Sequence, residues 1–303
     1  MTSKAIKAML HGALAVGMML AVASNAAAFL SSEIYACGQR CNTSCGADPN
    51  CRTANNGKCT LAQHITCTAT IPTIGVGVEA TAATTIDLNG NNITCTEVLP
   101  SSCNYNGARI VSSGCKITNT QAGGGVISGL FNNGVDCQSN ANSTVSNITV
   151  NDGLVGIENC KIVASNVVGP SYQTGFGVNL GISTGGISNA DAFTKNFISG
   201  RVIAIYHNGT TAINVSNNVI DTTDVDAYAI VLGSGHASTS GNADHNIFFG
   251  VGVDSSSTLF SIGGTDNVTS TGNFCDPNHP DCGNCVSSGH CESYSAPFSG
   301  NTP

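Results

Sequence analysis

From about residue 100 to 275 the chain alternates apolar and polar positions in short bursts. "TVSNITV", "CKIVASNVV", "VIAIY", "INVSNNVI" and "YAIVL" each hold the alternation for four to eight residues, the period of strands half-buried in a sheet. No stretch of eleven residues there keeps apolar positions at i, i+3, i+4 and i+7, so the pattern predicts no amphipathic helix. Gly, Asn, Ser and Asp separate the bursts, as turns require. Pro170 is the only proline between 101 and 276, which suits strands paired on both sides, since proline cannot donate to a ladder.

One polar position returns. Asparagine precedes a large apolar residue in "SNVVG" (165–169), "KNFIS" (195–199), "NNVID" (217–221), "HNIFF" (245–249) and "GNFCD" (272–276). With Asn147, the series Asn166, Asn196, Asn218, Asn246, Asn273 is spaced by 19, 30, 22, 28 and 27 residues. Periods of this size point to solenoids, propellers or arrays. A propeller blade wants an aromatic signature and the chain has no Trp; a leucine-rich repeat wants leucines, which are sparse. The reading that remains is an all-β, parallel β-helix, in which each strand pairs with its equivalent one coil above and below. Asparagine would take the left-handed bend between strands, and its amide would bond to the next coil. The following residues, Ile148, Val167, Phe197, Val219, Ile247 and Phe274, would point inward as core rungs. Uneven spacing means loops of varying length at the other corners. The repeat zone holds about eight or nine such coils, about 40 Å of stack at the strand spacing.

Cysteine divides the chain. Residues 1–28 hold none; Lys4 and Lys7 precede an apolar run from about Ala13 to Val22 and then "SNAAAF", the pattern of a secretory signal peptide cleaved after Ala28. The run is short for a bilayer, so no membrane span is expected in the mature chain. Residues 29–68 carry Cys37, Cys41, Cys45, Cys51, Cys59 and Cys67; residues 69–274 form the repeat domain; residues 275–303 carry Cys275, Cys282, Cys285 and Cys291, then a Ser/Pro/Asn tail. In an exported chain these zones read as disulfide-rich terminal caps over the open ends of the helix. "CGNC" (282–285), with His279 and His290 nearby, also has the spacing of a redox or zinc site, but export favours disulfides. The total of 15 is odd, so one thiol lacks an intramolecular partner. Cys115, Cys137 and Cys160 repeat at 22 and 23 residues and would stack as an inward column with at most one bridge.

The segment "CTLAQHITCTATIPTIGVGVEATAATTIDLNGNNITCT" (59–96), with its "ITC" strand, "TIDLNGNNIT" about twenty residues later and the asparagine rungs that follow, resembles secreted right-handed parallel β-helix repeat proteins of the pectate-lyase-like group over about residues 59 to 275. The resemblance implies a right-handed coil. It implies no single activity, because the group holds polysaccharide lyases, hydrolases and epimerases beside surface and adhesive proteins, and function belongs to a site rather than a fold.

Charge narrows the partners. Losing Lys4 and Lys7 takes the formal net charge from −8 to −10, and without clustered Lys and Arg the chain is no nucleic-acid binder. Acidic candidates are Asp221, Asp224 and Asp226 in "DTTDVDAYAIVLGSGH", with Asp244 about one coil later. Strand alternation puts Asp224 and Asp226 on one face, the arrangement of an acid/base pair or of calcium ligands, and calcium is the one cofactor the set would admit. Lys195 and Arg201, the last positive residue, stand about one coil earlier and are the only basic partners within reach. Lys116 and Lys161, in matching "CKI" positions, read as a surface column. "DVDAYAIVLGSGH" is loosely similar to the acidic segment of polygalacturonases, but the Arg–Lys motif of that family is missing because 202–303 holds no basic residue. The function expected is therefore that of a secreted or cell-surface structural or binding protein presenting a long β-face to extracellular polysaccharide. The alternative is a polysaccharide lyase or glycoside hydrolase built on Asp221, Asp224, Asp226 and Asp244 with Lys195 or Arg201.

Overall fold

The structure, a computed structural model, describes residues 39–41, 51–54 and, with interruptions of which the longest is 170–179, residues 58–294. The signal segment, Cys37, Cys45, Asp226 and the tail beyond 294 lie outside the described residues.

The chain winds through three sheets in turn, as in Ile203–Gly209, Ile213–Ser216, Val219–Asp221 and back to Tyr228–Leu232. The first sheet has nine strands, from Gln39–Cys41 to Thr258–Ile262. The second has ten, from Cys51–Ala54 to Asn267–Thr269, and the third has ten, from Ile65–Cys67 to Cys291–Ser293. Neighbours are parallel throughout, as in Phe197↔Val219 and Val219↔Ile247, except that Cys51–Ala54 pairs antiparallel with Lys58–Leu61. This is an all-β parallel β-helix. Strands bonded on both sides inside a coil need only one buried face, and short β-branched bursts supply it.

Each sheet sends a column of apolar side chains inward. On the third sheet Ile93, Ile127, Val150, Val167, Ile198, Ile220 and Phe248 are buried and stand in register. The expected rung holds at Ile148 and Val167, which are buried, and is displaced by one residue at the other four positions. Phe197, Val219, Ile247 and Phe274 are half-exposed and point outward. The reason lies in the asparagine: its own side chain points into the corner, so strand alternation turns the next residue out and the one after that in. The bend is displaced as well. The left-handed residue is the one before, with φ of 59° at Lys195, 56° at Asn217, 55° at His245 and 63° at Gly272.

Four asparagines form one ladder, each at most 2% exposed. The Nδ2 groups of Asn196, Asn218 and Asn246 donate to the Oδ1 of Asn218, Asn246 and Asn273 at 3.0, 2.9 and 2.9 Å. The same oxygens accept the backbone N–H of the preceding asparagine at 3.0, 3.1 and 2.9 Å. Asn147 and Asn166 are not in it. Asn147 takes the bend itself, with φ of 55°, and buried Ile148 fills the ladder position. Asn166 is exposed, and buried Ser165 stands in its place, donating its N–H to Asn196 Oδ1 at 3.0 Å.

The cysteine column also shifts. Cys137 and Cys160 are bridged, with Cα atoms 5.2 Å apart. Cys115 instead shares a register position with Ser143 and Cys160 at the start of second-sheet strands; equal spacing in sequence did not mean equal place in the coil. At the C-terminal end Cys275 pairs with Cys282 and Cys285 with Cys291, so the "CGNC" cysteines close disulfides to different partners. They sit on a six-residue helix, Cys282–Ser287, which buries both sulfurs, and which is too short for its periodicity to register.

Candidate functional site

The sequence-predicted residues occupy different corners. Asp221 ends the third-sheet strand Val219–Asp221, and its Oδ1 accepts the N–H of Thr223 at 3.0 Å. Asp224 is exposed in the turn that follows. Asp244 ends the second-sheet strand Ser240–Asp244 and lies 3.8 Å from His245 Nδ1. Lys195 is exposed in the bend column that also holds His245. Asp244 and Lys195 thus share the corner entering the third sheet while Asp221 and Asp224 share the corner leaving it, about 10 Å away for three-residue strands.

Arg201 is inside the protein, with no exposed surface. Its Nη1 donates to the carbonyl of Gly153 at 2.8 Å, and its Nη2 to those of Asp152 at 2.5 Å and Val168 at 2.9 Å. Burial pushes its pKa down to about 10, opposed by the charge of Asp152. The guanidinium reaches back over the two preceding coils and holds the carbonyls where they turn.

A different set of charged groups does converge. Glu79, Arg109, Asp136 and Glu158 occupy the same outward position on four successive strands of the first sheet. Each follows a glycine by two residues: Gly77, Gly107, Gly134, Gly156. These glycines face inward at the corner, where a Cβ on Gly134 would come within 2.6 Å of the Gly156 carbonyl oxygen and nearer still to Val150 Cγ1. In these coils the close approach of the next strand and of the third-sheet side chains leaves no room for a Cβ, and the turn fixes where the charged residue points.

Within the column Arg109 Nε donates to Glu79 Oε2 at 2.9 Å and its Nη2 pairs with the same oxygen. Asn106 Nδ2 donates to Asp136 Oδ2 at 3.2 Å, and the N–H of Gln138 to its Oδ1 at 2.7 Å. Asn133 Nδ2 donates to Glu158 Oε2 at 2.7 Å. Burial raises the Asp136 pKa above the usual carboxylate range, opposed by the Gln138 N–H, Arg109 and Asn106. Burial also raises that of Glu158, and the neighbouring Asp136 charge raises it further, against the Asn133 amide. The two half-buried carboxyls stand on adjacent strands, whose backbones run about 4.8 Å apart, close enough for the Asp136 charge to act on Glu158. Such a pair can accept hydroxyl hydrogens or pass a proton. The sequence signal that could have found it is the repeated Gly-apolar-charged triplet, "GVE", "GAR", "GVD", "GIE".

Lys116 and Lys161 do share a column, with Thr144 between them. Among the described residues no three His, Cys, Asp or Glu side chains come together to hold a metal ion, and no helix is long and apolar enough to cross a membrane. Compared with family models, curated proteins and solved structures, the chain matches none of them.

Proposed function

We propose that this chain is an exported right-handed β-helix protein of the pectate-lyase-like type, acting outside the cell or at its surface, where its first sheet contacts polysaccharide. The observation that carries this reading is the outward column of Arg109, Asp136 and Glu158 with Asn106 and Asn133 beside it. Amides and carboxylates held in a line at the strand spacing offer repeated acceptors and donors to a repeating hydroxylated polymer. Their rigidity on strands keeps the entropy cost of binding low. The excess of acidic groups disfavours an anionic polymer. Affinity electrophoresis through a panel of neutral and uronate polysaccharides tests it. A neutral polymer should retard the protein, and the Asp136→Asn, Glu158→Gln double variant should lose the retardation while its melting temperature stays within a few degrees. Export is tested by sequencing the secreted protein, which should begin at Phe29.

The raised pKa values of Asp136 and Glu158 support a second reading, a glycoside hydrolase. Carboxyls on neighbouring strands, with backbones about 4.8 Å apart, would suit a retaining mechanism if their oxygens keep about that spacing, with one as nucleophile and the other as acid and then base. Release of reducing ends from the polymer that binds, abolished by either single substitution, would favour it; binding without turnover would leave the first reading.

A further inference from the structure

The first and second sheets end in the same coil, with Thr258–Ile262 and Asn267–Thr269, and the third runs one strand further, to Cys291–Ser293. Over the first sheet's last strand, Thr258–Ile262, the helix Cys282–Ser287 and the turn after it leave a cavity of about 410 Å³, within the usual size of small-molecule sites. Its walls differ in chemistry. One is apolar: Phe260, fixed edge-on against Phe248 with centroids 5.1 Å apart, and the His290 ring at 5.9 Å from Phe260, tilted by 43°. The other is polar: Asp281, Asn284 and Ser288. Asp281 is held at both oxygens. Its Oδ2 accepts the N–H of Leu259 at 2.8 Å and its Oδ1 the Asn284 amide at 3.0 Å. A carboxylate so anchored keeps lone pairs at fixed positions for further donors, and Asn284 keeps its amide oxygen and a second N–H. The Cys285–Cys291 disulfide ties the polar wall to the strand that follows His290, so the cavity is formed before any ligand arrives.

We infer that this cavity is a binding site for a single neutral sugar unit, taking its apolar face on Phe260 and its hydroxyls on Asp281 and Asn284. An anionic unit is repelled, since Asp281 lines the cavity and neither Lys nor Arg does. The site deepens the polysaccharide reading above and rests on it. Ser261, in the cavity wall, occupies the same outward register as Glu158, through Ser183, Tyr206 and Val231. A polymer lying on the charged column would place a unit here about 19 Å farther along, at the strand spacing.

The test is a nuclear magnetic resonance titration of the full mature chain with neutral hexose and pentose disaccharides, digalacturonate and spermidine. A neutral disaccharide should shift the amide signals of Ser261, Asn284 and Ser288, and digalacturonate should not. Asn284→Ala, an exposed change, should weaken that binding at least fivefold, and Phe260→Leu about tenfold. No shift at these residues with any neutral disaccharide, or a shift with spermidine alone, overturns the proposal. The Asp136→Asn, Glu158→Gln variant separates the two readings. If it loses polymer binding but keeps the disaccharide shifts, both sites stand. If the parent binds no polymer yet shows the shifts, the first-sheet reading fails and the cavity remains. If polymer binds the parent and the Asn284→Ala protein alike without cavity shifts, the cavity reading fails alone.

Discussion

The coils up to Val168 and those from Ala192 onward solve the same corner differently. From Asn196 the turn into the third sheet is held by an unbroken line of buried amides. In earlier coils the equivalent places hold Gly125, Ile148 and Ser165, given by register, and the line is interrupted. There the Cys137–Cys160 disulfide, the Arg109–Glu79 pair and Arg201 reaching back to three carbonyls tie coil to coil. The inward glycines at the first-sheet corner follow the same division, continuing through Gly181 and giving way to Ala204, Ala229 and Leu259. One half is fastened from coil to coil by covalent and charged links at separate points, the other by a repeated neutral motif that runs into a disulfide-bonded end. The charged groups that could meet a ligand on the first sheet lie in the first half, where the fastening itself uses charge.

The sharpest way to break this contrast is to remove one link from each half. Arg201→Leu should cost the most, about 4 kcal/mol, because it leaves the carbonyls of Asp152, Gly153 and Val168 without their charged donor; urea denaturation reads this directly. Asn218→Ala should cost about 3 kcal/mol, since it deletes bonds to Phe193, Asn196 and Asn246 and strands buried donors. Ser165→Ala, at the same place in the earlier half, should cost about 1 kcal/mol or less, as its side chain makes a single bond to the Val163 carbonyl. Equal losses at 165 and 218 would erase the distinction. Replacing Cys137 and Cys160 by Ser opens a 23-residue loop and should cost about 3 kcal/mol.

The smallest effect concerns pH. Asp136 and Glu158 have folded pKa values above their ordinary ones, so their protonated forms favour the native state. That contribution is complete below the unfolded pKa and is lost as pH rises through the folded pKa. Glu158→Gln should therefore gain stability over the parent at neutral pH, by about a few tenths of a kcal/mol given its partial exposure. The gain should vanish in acid, as followed by melting temperature across pH 3 to 8. A gain that persists in acid would argue against the carboxyl pair.

The strands and the solenoid were legible because alternation and turn residues act locally, as "INVSNNVI" and "YAIVL" do. The asparagine repeat was legible as a corner device, but its phase was not. Whether Asn218 bends the chain or fills the bend depends on where Asn217 places φ, and sequence spacing carries no such information. Asn147 and Asn166 look identical to the others in sequence and fall one residue to either side of the ladder position. The charged column left only the faint triplet signal, because its members differ in charge and stand 30, 27 and 22 residues apart; the register makes them neighbours. Arg201 read as a basic partner of the acidic cluster because a buried, carbonyl-bound arginine leaves no local pattern.

The asparagine ladder also gives the molecule a direction in time. Each amide hands one hydrogen back to a carbonyl of the coil before, Ile162, Phe193 or Val215, and the other to the coil that follows: Asn196 to 218, 218 to 246, 246 to 273. The last one, Asn273, likewise reaches back to the Ala243 carbonyl and gives its forward hydrogen to Ser270 and the His290 carbonyl in the disulfide-bonded end. A chain emerging from its N-terminus therefore always carries one asparagine at its growing edge with buried donors still unmet. The debt passes from coil to coil and is closed only when His290 arrives, so a residue made after the whole ladder is the one that lets the earlier amides rest.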